Sequence, residues 1–179
     1  MKTLLLIGMI ATIGLSSAVL RAAEATPAKP PEKKPTPAAL DRLRALAGTW
    51  VSKPVEAMGN KPMTVTFKVT ANDSAVVETM FPGTDHEMVN MYYADGDGVM
   101  MTHYCGMGVQ PRMRLAPADD RAKVMKFSFV DCTNLKSRDE AHMDSVDMTI
   151  DGDKLVEDWS YYQDGKVINH VVLELKKQR

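Results

Sequence analysis

From Gly48 onward, apolar residues recur at every second position in short runs, and each run is cut by Asn, Asp, Gly or Pro. The clearest run is Met63 to Thr70, which places Met63, Val65, Phe67 and Val69 on one face and three Thr and a Lys on the other. Successive side chains of a strand point to opposite faces, so a period of two makes a strand with one dry and one wet side. A helix cannot bury that pattern. The same rhythm predicts strands at Thr49–Lys53, Ala75–Phe81, His86–Tyr93, Gly98–Cys105, Arg112–Ala116, Lys123–Val130, Met143–Ile150, Lys154–Tyr162 and Lys166–Leu175, about ten in all.

Tight turns at Asn72-Asp73, Asp95-Gly96-Asp97-Gly98, Asp151-Gly152-Asp153 and Asp164-Gly165 join these strands. Such turns link antiparallel neighbours, which makes an up-and-down meander the simplest topology. Closing a meander of many short strands removes its exposed edges, so the expected fold class is mainly β, an antiparallel up-and-down barrel. Before it, Leu40, Leu43 and Leu46 lie three apart among good helix formers, predicting a short amphipathic helix ended by Gly48. The stretch Asp131 to Ala141 reads as a loop near a barrel rim.

The chain starts with Met1-Lys2-Thr3, an apolar run from Leu4 to Leu15 and an A-x-A step at Ala23-Glu24-Ala25, the pattern of a secretory leader. The expected organisation is a signal peptide over 1–25, a proline-rich extended linker over 26–37 and one β-barrel domain over 38–179. Export to the periplasm or medium is expected on this reading, with no integral membrane segment in the mature chain. The formal charge of −1, without a basic stripe, argues against nucleic acid as a partner. Oligomeric state is not legible. In an oxidising compartment Cys105 and Cys132 could form a disulfide, or each could be a small unpaired apolar residue.

Candidate chemistry concentrates in Met88 to Met113. His86, Met88, Asn90 and Tyr92 share one face of a strand; Val99, Met101, His103 and Cys105 share one face of the next. Polar groups within otherwise apolar faces imply a partly polar interior, and buried polar groups need partners. The ligand-binding residues expected from this stretch are His103, Tyr104, Gln110, Arg112, Met88, Asn90 and Met101. Arg112 is the candidate clamp for a carboxylate or phosphate. Six methionines here, with His86 and His103 near, would suit Cu(I), but alternation scatters them between faces, so packing is the better account. Asp95-Gly96-Asp97-Gly98 lacks the further ligands and final Glu of a Ca²⁺ loop and reads as hairpin chemistry. No cofactor or metal site is therefore expected.

Nucleophile motifs such as G-x-S-x-G, H-E-x-x-H and C-x-x-C do not occur. Glu78, Glu157 and Asp158 are strand carboxylates that would serve as acid or base if they pointed inward. The favoured function is binding a small, partly apolar ligand inside the barrel, with an enzyme using inward His and Glu residues as the alternative. Haem binding or a protein-interaction role is a further alternative.

Gly48-Thr49-Trp50, following a short helix and opening the first strand, resembles the G-x-W start of the lipocalin and wider calycin barrels. The segments D-G-D-G, T-H-Y-C-G and Q-P-R-M within Asp95 to Met113, with His142-Met143 and Trp159 followed by Asp164-Gly165-Lys166, resemble a group of exported bacterial lipocalin-like domains of unknown function. The resemblance implies a calycin-type barrel and export, and no reaction. Val109 stands where that group has Asn, and Cys132 where it has a small residue. His170 is similar in placement to the haem-ligating His of the nitrobindins, although Val167, Asn169, Val171, Leu173 and Leu175 form the more apolar face opposite it.

Overall fold

The computed structural model describes residues 34–115 and 122–179. The expected signal peptide and all but the last residues of the expected linker lie outside the described residues. The described chain forms a helix α1 (Ala38–Arg44) and ten strands: β1 (Gly48–Ser52), β2 (Thr64–Thr70), β3 (Ala75–Met80), β4 (Met88–Asp95), β5 (Gly98–Tyr104), β6 (Gln110–Leu115), β7 (Val124–Thr133), β8 (His142–Asp151), β9 (Lys154–Gln163) and β10 (Lys166–Lys177). Every strand pairs antiparallel with its sequence neighbours, and β1 closes the barrel on β10 with Trp50 opposite Lys177. The expected meander and its closure are both present. Among the described residues no helix is long and apolar enough to cross a membrane.

Alternation sorts the side chains as the sequence requires. Val65 and Phe67 of β2, Val76 of β3, Met113 and Leu115 of β6, Met125 and Phe127 of β7, Val146 and Met148 of β8 and Leu173 of β10 meet in one core. At about 25 cal/mol per Å² of apolar surface removed from water, this interior is the main driving force for closure. The Asp95–Gly98 hairpin turn needs Gly96 at a φ of 61°, and Arg114 binds the Asp95 carboxylate at 2.8 Å. Turn geometry and an arginine thus occupy the Asp/Gly run. At Gly98 an added Cβ would come within 2.8 Å of the Leu115 carbonyl, so β5 and β6 can approach there only with glycine.

A seven-residue helix has too few turns to be stable alone, so packing must hold α1. Ala39, Leu40 and Leu43, with Leu46 just beyond, are buried in the barrel core. The Trp50 indole N–H donates to the Leu46 carbonyl at 2.8 Å, tying the helix to the first strand. Arg44 reaches the Asp73 carbonyl in the β2–β3 turn. The helix therefore shares an end of the barrel with the β2–β3, β4–β5 and β8–β9 turns, and the β3–β4, β5–β6, β7–β8 and β9–β10 connections share the other.

Strand β7 runs on to Thr133, so the β7–β8 connection is shorter than the predicted Asp131 to Ala141 loop. Pairing shifts register between Arg112 and Met113, between Met143 and Ser145, and between Val167 and Asn169. Such bulges re-aim side chains and increase local twist, and all three lie toward the end away from the helix.

Candidate functional site

Three strands bring a row of polar side chains into the apolar interior. Glu78 lies opposite Asn90, and Asn90 opposite His103, so β3, β4 and β5 present them side by side. All three are buried, as are Tyr92 next along β4 and Glu157 on β9. The Glu78 Oε2 atom accepts from the Asn90 amide and from the Tyr92 hydroxyl, each at 2.7 Å. Because the Asn90 nitrogen is spent on Glu78, its Oδ1 faces His103 Nδ1 at 2.6 Å and must accept. That fixes His103 as the Nδ1–H tautomer, with Nε2 carrying a lone pair.

From the far wall, Glu157 completes a ring. The Trp159 indole N–H donates to Glu157 Oε2 at 3.2 Å, and the Trp159 ring lies 5.1 Å from the His103 imidazole, centre to centre. Glu157 comes close enough to Glu78 across the interior for each carboxyl to act on the other. Desolvation is the main cause that raises the pKa of both carboxyls, and the charge of Glu78 raises Glu157 further, to well above its ordinary value. Two buried carboxyls so close cannot both ionise, and Glu157, the more strongly raised of the two, holds the proton. Burial also raises Tyr92 well above 10.0 and lowers His103 from 6.5 to about 4, so both are neutral near pH 7.

Glu78 Oε1, Glu157 Oε1 and His103 Nε2 have no protein partner among the described residues. One proton held between the two carboxyls is what the glutamate oxygens require. His103 Nε2 is left as a buried acceptor, and an unmet buried acceptor costs about 1–3 kcal/mol. Soft thioethers border the ring: Met80 Sδ lies 3.5 Å from the Asn90 amide and Met148 Sδ 3.8 Å from the Tyr92 hydroxyl.

The residues expected to bind ligand separate into two groups. His103, Asn90 and Met101 point inward and are buried, and Met88 packs against the same core. Tyr104 is 50% exposed, because one step along β5 from His103 reverses the face. Gln110 and Arg112 flank buried Pro111 on β6 and face outward. There Gln110 accepts from the Thr133 hydroxyl, and Arg112 pairs bidentately with Asp131, Nε to Oδ1 at 2.6 Å. Their hydrogen bond and charge raise the Arg112 pKa and lower that of Asp131. Arg112 and His103 are thus on opposite sides of the barrel wall.

Cys105 and Cys132 are half-buried free thiols, both pushed up in pKa chiefly by burial. His170 stands on the outer face with Nδ1 2.7 Å from Asp158 Oδ1. Among the described residues no group of three or more His, Cys, Asp and Glu side chains is arranged to hold a metal ion. From sequence, Glu78 and Glu157 are legible only as strand carboxylates of unknown direction. The signal is present in their neighbours: Glu78 alternates with Val76 and Met80, and Glu157 with Leu155 and Trp159, all of them buried. Neither the protein-family models nor the curated proteins searched match this chain.

Proposed function

We propose that this protein is an exported, lipocalin-like binding protein, whose barrel takes up a small, partly apolar molecule that donates a hydrogen bond to His103 Nε2. The observation that carries the reading is that buried nitrogen, an oriented acceptor without a protein partner. An N–H or O–H group satisfies it, and an acceptor group does not. The Glu78–Asn90–His103 chain holds the ring in the required tautomer. Met80 and Met148 supply walls that can repack around a guest, since unbranched thioether chains adapt at low cost.

An enzyme using His103 as a general base is the second reading, favoured by the same chain of hydrogen bonds. Its weakness is basicity: a base working near neutral pH is best matched by a pKa near that pH, and burial takes His103 to about 4. The imidazole suits holding a donor better than removing a proton. Native mass spectrometry on protein purified from its own source tests the binding reading. We expect a defined mass excess in the wild type that is absent from His103→Phe; bare chains in both cases contradict it.

A further inference from the structure

Away from the polar ring, the β7–β8 connection sends Arg138 back onto the barrel. Its guanidinium carbon lies 4.0 Å from the centre of the Phe129 ring and 3.9 Å from that of Tyr162. The same guanidinium meets His142 Nε2 and the Asp144 carboxylate. His142 Nδ1 donates to the Glu140 carbonyl at 2.5 Å, which leaves Nε2 free to accept from the arginine. The His142 ring is itself 5.0 Å from Phe129 and 5.2 Å from Tyr162. Two aromatic faces, a carboxylate and an oriented imidazole acceptor therefore meet one partly exposed cation, each element answering a property of guanidinium.

Three strands supply the box, Phe129 from β7, His142 and Asp144 from β8, and Tyr162 from β9, whereas a loop supplies its occupant. That loop is anchored without the guanidinium. The Asn134 amide donates to the Gly108 carbonyl at 2.9 Å and the Asp164 N–H donates to the Asp139 carbonyl at 2.9 Å, while within the loop the Lys136 N–H donates to the Glu140 carboxylate at 3.2 Å. Placing the loop does not call for so complete a cation site. The box stands at the end of the barrel away from α1.

We infer that Phe129, His142, Asp144 and Tyr162 form a recognition site for the guanidinium group of a small molecule, and that Arg138 is a tethered competitor which holds the site shut. A cation on the same chain competes at high effective concentration, so a free guanidinium binds the wild type weakly and binds an emptied box more tightly. The inference does not depend on the reading of His103.

The test titrates methylguanidinium chloride into the wild type and Arg138→Ala, following the Tyr162 and His142 ring signals by NMR. Methylammonium chloride at equal ionic strength is the control. The expected result is saturable binding to Arg138→Ala, about tenfold or more tighter than to the wild type, lost in Arg138→Ala with Tyr162→Leu and retained in Arg138→Ala with His103→Phe. If Arg138→Ala does not fold, Arg138→Gln, which keeps much of the stem, takes its place. A variant response no different from methylammonium, or equal binding to wild type and variant, overturns the inference.

Discussion

His103 shows how much a single residue's neighbours decide. A histidine on an alternating strand has an even chance of either face from its own letter, and the buried Met101 and Val99 in step with it settle the matter. Burial lowers its pKa to about 4, so between pH 6.5 and pH 4 the unfolded chain takes up a proton that the folded chain refuses. Stability therefore falls as pH drops through that window, by about 3 kcal/mol if His103 acts alone. A titration of the His103 ring signal should show a neutral imidazole down to about pH 4, and a midpoint near the ordinary histidine value would contradict the burial argument. Glu157 works in the opposite sense. Its raised pKa means that the folded state keeps a proton the unfolded chain loses above about 4.5, so its contribution declines as pH rises. Glu157→Gln preserves a donor for Glu78 and an acceptor for Trp159 without that loss. Denaturant unfolding should find the variant close to wild type at pH 5 and more stable than wild type at pH 8; an equal loss at both would show that the carboxyl proton is not what matters. The partnership of Glu78 with Glu157 is not legible in the sequence, because it joins strands on opposite walls and is set by barrel closure.

At the scale of elements, period and turn chemistry carry most of the information. Strands β2, β3, β5 and β9 begin or end within a residue of where alternation places them, since each is flanked by turn residues. The β7–β8 segment is less legible: β7 carries pairing past the Arg112/Met113 register shift to Thr133, and the bulge puts one extra residue into β7 that breaks its period of two. Chain proximity groups Tyr104, Gln110 and Arg112 with His103, and strand alternation separates them. The β2–β3 turn holds Ala71, Asn72 and Asp73 all at positive φ, and Ala71 has no side-chain polar group to offset its left-handed backbone. That conformation costs a non-glycine residue about 1–2 kcal/mol. Thermal unfolding of Ala71→Gly should therefore show a Tm a few degrees above wild type, while a lower Tm would mean that the lost methyl group or the added unfolded-state freedom outweighs the relieved backbone.

For the whole molecule, closure is what assembles the buried polar ring. An open ten-strand sheet would leave Glu78 and Glu157 far apart, and the barrel brings the two walls close enough for each carboxyl to act on the other. The resulting interior is apolar, rich in methionine and interrupted by one polar ring with a single acceptor left over. The central claim is that a bound molecule donates to that acceptor. The most direct measurement is the long-range proton–nitrogen NMR spectrum of His103 in ¹⁵N-labelled protein, before and after exposure to a small-molecule extract of the source cells. The account predicts a protonated Nδ1 and a bare Nε2 at the outset, with Nε2 moving to a hydrogen-bonded shift once the extract is added and returning after the bound molecule is removed by unfolding and refolding. A proton on Nε2 from the start, or a spectrum that no fraction of the extract alters, would contradict it.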